Sequence, residues 1–268
     1  MINLRKGASC RWVLGVEYDG RAYCGWQIQS RQPSVQAALE QALSRMAGQA
    51  VKVTTAGRTD TGVHATLQVV HFDTTASRPP EAWVRGVNSL LPEDIVVRWS
   101  KPMDSAFDAR RSAQARRYTY ALLTQPTRPA LLAGRVGWYH RSLDVLKMVE
   151  GARFLLGEHD FSSFRAAECQ ARTPVRTLQR LDIEKQGDLI LFHFKANAFL
   201  HHMVRNIVGS LIFVGKGRQE PSWLKWLLDQ QNRECAAPTF MPDGLYLTGV
   251  SYPERWALPE ANIPLIML

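Results

Sequence analysis

Apolar and polar residues alternate over 12–18, and the Asp19-Gly20 pair follows, so this stretch predicts a strand closed by a turn. The period then lengthens. Val35, Ala38, Leu39, Ala42, Leu43 and Met46 recur at the spacing of one helix face, with Pro33-Ser34 as its entry. Residues 51–55 and 66–73 read as strands, 79–90 as a helix stopped near Pro92, and 94–99 as another strand. That order, β-α-β-β-α-β, is the split pattern of ferredoxin-like and RNA-recognition folds. The second half repeats it. Residues 116–123 read as a strand and 143–155 as a helix. Strands 174–185 and 189–196 are joined at Gln186-Gly187-Asp188. A helix over 199–214 carries an apolar stripe of Leu200, Met203, Val204, Ile207, Val208, Leu211 and Ile212. A shorter helix, 222–228, and a strand, 245–250, complete the order. No sequence repeat accompanies the repeated order. The expectation is an α+β fold of two β-α-β-β-α-β units with mainly antiparallel sheets. They would be pseudo-twofold related across a cleft, with the first unit at residues 1–107 and the second at 108–268.

Between the strands at 51–55 and 66–73 runs Ala56-Gly57-Arg58-Thr59-Asp60-Thr61-Gly62-Val63-His64-Ala65. A hairpin connection is usually about two to five residues. This one is longer, is bounded by Gly57 and Gly62, and sets Arg58 two residues before Asp60. Glycines allow backbone angles and close approaches that a β-carbon forbids. Such a loop can hold a carboxylate rigidly at the mouth of a sheet with a cation beside it.

Composition narrows the partners. The 268 residues carry a formal charge of +9, which points to a polyanion such as RNA, although a generally basic protein has the same balance. A hydrophobic content of 46% suits a globular chain with a core. Cys10, Cys24, Cys169 and Cys235 show no C-x-x-C spacing, so reduced thiols in a cytoplasm are the simplest account. No run of 18 apolar residues predicts a membrane span, and Arg5, Lys6 and Arg11 precede no apolar signal core.

Six ordered motifs carry a family resemblance. The loop Gly57–Ala65 resembles the G-R-T-D-x-G-V-H-A signature of the TruA family of tRNA pseudouridine synthases. Tyr18-Asp-Gly-Arg-Ala-Tyr-Cys-Gly-Trp-Gln27 resembles the family's opening motif, and Pro33-Ser-Val-Gln36 the start of its first helix. Phe107-Asp-Ala-Arg110 with Arg116-Arg-Tyr118-Thr-Tyr120, then Phe199-Leu-His-His-Met-Val-Arg205-Asn206, then Gly244-Leu245-Tyr-Leu247 complete the set. The matches run from Tyr18 to Leu247. The resemblance implies a homodimer acting on tRNA, with uridines 38, 39 and 40 of the anticodon stem-loop as targets and a basic cleft as the site.

Pseudouridine formation breaks the N1–C1′ bond, turns the uracil and joins C5 to C1′. Nothing is oxidised, so no cofactor is expected. The chemistry needs a carboxylate nucleophile, a base for the C5 proton and a target nucleotide drawn out of its stack. The resemblance makes Asp60 the nucleophile, against the plainer reading of an Asx-turn aspartate. Arg205, on a strongly apolar helix, becomes its cationic partner, because a buried guanidinium without a carboxylate is costly. The residue alone would equally suit an arginine snorkelling to solvent. Arg58 either pairs with Asp60 or, as the family implies, helps displace the target base. Tyr118 is implied to stack on the flipped uracil and to serve as the C5 base, although a strand tyrosine is ordinarily core. Leu245 matches an apolar wall of the uracil pocket.

Further RNA contacts are expected at Arg78, Phe107, Asp108, Ala109, Arg110, Arg111, Arg116, Arg117 and the segment Glu168, Cys169, Gln170, Ala171, Arg172. His64, His71, His201 and His202 match no metal-ligand spacing, so no metal is expected. Two rivals compete. Asp60-Thr61-Gly62 spells the triplet of aspartic proteases, but the residues before it are not an apolar strand, and a protease dyad shares a proton that a neighbouring arginine would oppose. A non-catalytic RNA-binding module could stack bases on Tyr118 and Tyr120, but gives a carboxylate between glycines no task.

Overall fold

The computed structural model describes residues 9–259, so Arg5 and Lys6 lie outside the described residues. The chain is a mixed α+β protein that divides into two compact units. One holds the residues up to Gln114 together with those from Leu247 onwards, and the other is Ala115–Tyr246. By contact the first unit is therefore discontinuous, where a single cut near residue 107 is the expectation from sequence.

In the first unit, strands β1 (Cys10–Tyr18), β3 (His64–Thr74) and β4 (Ile95–Met103) form the order β4-β1-β3, both pairs antiparallel. Helix α1 (Val35–Ala47) starts at Ser34, whose hydroxyl accepts the Ala37 N–H, and ends at Gly48 with φ 68°. Helix α2 (Pro80–Asn88) brings Trp83, fully buried, against Phe72 and Trp12 at centroid distances of 5.2 and 5.7 Å. Trp12 and Phe72 are register partners on β1 and β3, so this face of the sheet meets the helix. Alternation sends Val13 to the opposite face. There it packs with Leu67, Val69, Phe107, Ala109, Val250 and Trp256. Val250 and Trp256 come from the end of the chain, and the Gln114 N–H donates to the Ser251 carbonyl at 2.8 Å. Burying a side chain such as Val250 contributes about 1.5–3 kcal/mol, so the returning segment belongs to this unit's core.

The strand predicted over 51–55 shortens to β2 (Thr54–Thr55). Helix α1 takes the missing backbone donors. The Val51 N–H donates to Ser44 Oγ at 2.9 Å, and the Val53 N–H to the buried Glu40 carboxylate at 3.0 Å.

In the second unit, β5 (Ala115–Thr124), β9 (Leu189–Ala196), β8 (Val175–Gln186) and β7 (Gly157–Asp160) lie in the order β5-β9-β8-β7, all antiparallel, and β6 (Gly137–Tyr139) pairs with β5 in parallel. Three helices accompany them: α3 (Val145–Arg153), α4 (Met203–Gly215) and α5 (Trp223–Gln230). The β8–β9 turn falls at Gly187, with φ 62°. Strand β10 (Leu245–Ser251) begins in this unit and finishes in the first. Helix α4 starts at Met203, four residues later than the predicted start at 199, because His202 adopts a left-handed conformation, φ 62°. All four cysteines are free thiols, and among the described residues no helix is long and apolar enough to cross a membrane.

Candidate active site

The signature loop and the opening motif Tyr18–Gln27 are one packed object within the first unit. Gly25 has φ 84°, and a Cβ there would stand 2.6 Å from the Thr59 carbonyl oxygen and 3.1 Å from the Asp60 carbonyl carbon. The Trp26 N–H donates to the Thr59 carbonyl at 3.0 Å, and the Gly62 N–H to the Tyr23 carbonyl at 3.4 Å. Thr59 is buried, and its hydroxyl shares a 2.8 Å hydrogen bond with the buried Tyr18 hydroxyl. On the other side, Gln68 Nε2 donates to the Gly57 carbonyl at 2.7 Å. The loop closes on itself through Val63 N–H to the Asp60 carbonyl at 3.1 Å, with Gly62 at φ 77°. Gly57 does no such work: its φ is not positive and a Cβ there would meet nothing within 4 Å. Burial decides which side chains point inwards. Thr59 is buried, Arg58 is exposed and Asp60 is half-buried.

His64 ends the signature. It is buried, and its Nδ1 accepts the Gly20 N–H at 3.1 Å, with Asp19 Oδ1 at 3.3 Å from the same nitrogen. Burial pushes the Asp19 carboxyl up, but the Arg21 guanidinium and backbone N–H overrule it, so the group sits below the usual carboxylate range. On the same strand His71, also buried, accepts the Ala109 N–H at Nδ1 (3.0 Å). Burial first, and the Arg11 guanidinium second, hold His71 below its ordinary value.

His71 thus fixes the segment Phe107–Arg111. Phe107 and Ala109 are fully buried, and the Ala109 carbonyl accepts from the Tyr252 hydroxyl at 2.6 Å. Asp108 Oδ1 accepts the N–H groups of Arg110 and Arg111, each at 2.8 Å. Phe107, Asp108 and Ala109, expected to touch RNA, therefore build the loop from inside, while Arg110 and Arg111 are its exposed members. Arg78 is exposed as well.

The second unit holds Tyr118, Arg205 and Leu245. Tyr118 faces Phe194 across the β5–β9 ladder and meets Phe199 edge to face at 5.1 Å. The residue is buried, at 8% exposure. Arg205 Nε donates to the Phe240 carbonyl at 2.8 Å, and the Phe240 N–H returns to the Arg205 carbonyl at 3.3 Å. Beside it Tyr120 donates to the Met241 carbonyl at 2.9 Å. Burial and then the Asp243 carboxylate push the Tyr120 phenol far up, while Arg205 opposes them. Leu245 is buried, and its N–H donates to the Pro242 carbonyl at 2.8 Å. Arg116 Nη1 donates to the Asn197 carbonyl at 2.9 Å. In the segment 168–172, Glu168, Gln170 and Arg172 are exposed, and Arg165 holds the carbonyls of Cys169 and Ala171 at 2.5 and 3.2 Å.

Sequence reasoning gave no role to the residues that hold this geometry: Tyr18, Gly25 and Thr59, which it quoted only as motif members, and Gln68 in the first unit, and Asn206 in the second. Asn206 is fully buried. Its Nδ2 donates to the Phe164 carbonyl, and its Oδ1 accepts from Thr239 and Arg233, at 2.8, 2.7 and 3.1 Å. A polar residue inside an apolar helical stripe was the available signal, since a buried amide needs partners.

A protein-family model described as tRNA pseudouridine synthase matches residues 15–110 and 152–253, which takes in both halves of the packed loop and leaves Tyr118 outside. The chain is 57% identical over 251 residues to the tRNA pseudouridine synthase A of Nitrosomonas eutropha, covering 94% of this chain and 91% of that one. It is 59% identical over 251 residues to the protein of the same name from Chromobacterium violaceum, covering 93% and 96%. Among solved structures, a chain from "Structure of H/ACA RNP bound to a substrate RNA containing 2'-deoxyuridine" is similar over 75% of this chain and 44% of that one, at 13% identity and a TM-score of 0.36. At that score the likeness carries no argument.

Proposed function

The chain belongs to the tRNA pseudouridine synthase family, and from that membership we propose how it acts. It is an isomerase that forms pseudouridine in tRNA, and its targets are uridines 38, 39 and 40 of the anticodon stem-loop. The supporting observation is the loop Gly57–Ala65, which keeps every fixed position of the family signature and is locked from both sides with Asp60 half-buried.

In this reading the target nucleotide leaves its stack, since its reacting atoms are otherwise inaccessible. The Asp60 carboxylate attacks as the nucleophile while the N1–C1′ bond breaks, and the bond it makes breaks again as C5 joins C1′. The uracil turns, C5 bonds to C1′, the C5 proton passes to a base, and N1 takes up a proton. Atoms and electrons balance without an oxidant or an energy source. Tyr118 offers its ring to the uracil and its hydroxyl to the C5 proton. Arg58, exposed beside Asp60, suits the displacement of the base, because a flat cation both stacks and bonds phosphate. Arg205 is the cation assigned to the carboxylate, and Leu245 the apolar wall. Arg78, Arg110, Arg111, Arg116 and Arg172, with Glu168 and Gln170, are assigned to the RNA, and the acting species is a cytoplasmic homodimer.

Tritium release from tRNA labelled at uridine C5 tests the reading. The parent releases it, Asp60→Asn does not, and both bind tRNA alike. Tyr118→Phe binds and releases little. Release by Asp60→Asn within about tenfold of the parent removes Asp60 from the nucleophile's role, and no release by the parent leaves an RNA-binding module. Mapping modified uridines in cells lacking and then regaining the chain tests the three positions.

A further inference from the structure

We infer that Tyr18 and Thr59 are positioning residues for the reaction: their buried hydroxyl pair fixes the backbone from which Asp60 projects. The inference rests on the catalytic reading of Asp60 and names the device that aims it.

Thr59 sits between the exposed Arg58 and the half-buried Asp60, yet is itself only 6% exposed. Both of its oxygens are held. The carbonyl takes the Trp26 N–H at 3.0 Å, and the hydroxyl meets Tyr18 Oη at 2.8 Å. Tyr18 is 3% exposed on β1, with the side chain of Gln68 near its hydroxyl. Gln68, fully buried on β3, reaches the Gly57 carbonyl at 2.7 Å. Two adjacent strands thus grip residues 57 and 59, on either side of Arg58, and the grip ends one residue before Asp60.

A Thr59 that only filled space would need no hydroxyl, and a valine would match its shape. A hydroxyl buried in this place is satisfied only while the loop keeps its position. Neither oxygen has a part in the chemistry, so loss of the pair would act through the placement of Asp60. Displacing a reacting group by about 1 Å can slow a reaction about 100-fold.

The experiment measures single-turnover pseudouridine formation on C5-tritiated tRNA with enzyme in excess, and tRNA affinity by filter binding. It uses the full-length parent, Tyr18→Phe, Thr59→Val, Thr59→Ser and the double variant Tyr18→Phe/Thr59→Val. The two hydroxyl-deleting variants are expected to be slower by about 10-fold to 100-fold with affinity nearly unchanged. Thr59→Ser recovers most of the rate, and the double variant is no slower than the slower single, because both remove the same bond. Parental rates in Thr59→Val and Tyr18→Phe overturn the inference. So do equal loss in Thr59→Ser, multiplicative loss in the double variant, or a loss confined to tRNA affinity. If Thr59→Val does not fold, Tyr18→Phe, which removes one oxygen, decides with Thr59→Ser. Asp60→Asn runs alongside. Turnover by that variant sinks the catalytic reading, whereas an inert Asp60→Asn beside fast Thr59→Val and Tyr18→Phe sinks only the positioning role.

Discussion

Replacing Gly25 by alanine tests the packing of the loop most directly. Its φ of 84° is strained for an L residue, and the new Cβ would lie 2.6 Å from the Thr59 carbonyl oxygen. That oxygen cannot yield easily, because it already holds the Trp26 N–H at 3.0 Å. The left-handed backbone costs about 1–2 kcal/mol, and overpacking against a fixed atom about 1–3 kcal/mol. The lower entropy of the unfolded alanine chain returns about 0.4–1 kcal/mol. The net loss is about 3 kcal/mol, and a unit of this size loses about 6–12 °C in melting temperature. Gly57→Ala supplies the control in the same loop, since its Cβ meets nothing within 4 Å and its φ is not positive. It should melt at or slightly above the parent temperature. Both are read by thermal unfolding followed by circular dichroism in the far ultraviolet. A Gly25→Ala protein that melts with the parent, or a Gly57→Ala protein that falls as far, would refute this account of the loop.

Three further outcomes are expected. Neutralising about six phosphates gives tRNA affinity a slope of about −4 to −5 against salt on logarithmic axes, and a flat response in filter binding would contradict a phosphate-contacting surface. His71 is held below its ordinary value of 6.5 by burial and by Arg11, with Asp108 and Asp73 opposing, so the folded state prefers the neutral ring. Its contribution to stability is complete above the unfolded-state value and is lost as pH falls from there towards the folded-state value. Urea midpoints should therefore fall between pH 8 and pH 5.5, and fall less in His71→Asn; an equal fall in both would exclude His71 as the cause. Asn206→Ala strands the buried Phe164 carbonyl and removes the acceptor shared by the half-buried Thr239 and Arg233, and should lower stability by about 2 kcal/mol in urea titration; a change within about 0.5 kcal/mol would show that the network bears no weight.

The pieces that sequence misread share a cause. Residues 51–53 alternate like a strand, but Ser44 and Glu40 on α1 take their backbone donors, and no local pattern encodes a side chain several residues away. The apolar stripe of α4 starts at Leu200, but the left-handed His202 delays the helix to Met203. Strands β6 and β7, of three and four residues, are too short to show a period. Phe107 and Ala109 belong to a motif that reads as a contact segment, yet they are core, because the chain end returns Val250 and Trp256 to cover them.

What the sequence determined by itself was the kind of fold and the chemical inventory. Periods of two and of about 3.6 residues fix element types locally, and the motif at 57–65 names an acid, a cation and two glycines whatever surrounds them. Only the tertiary structure decided how that acid is held. Tyr18 and Thr59 lie 41 residues apart, and nothing in either neighbourhood requires a hydroxyl. The pairing exists because β1 and β3 are antiparallel neighbours whose ends bring the opening turn onto the loop. A buried hydrogen bond is a property of two places at once, and sequence read along one line supplies only one place at a time.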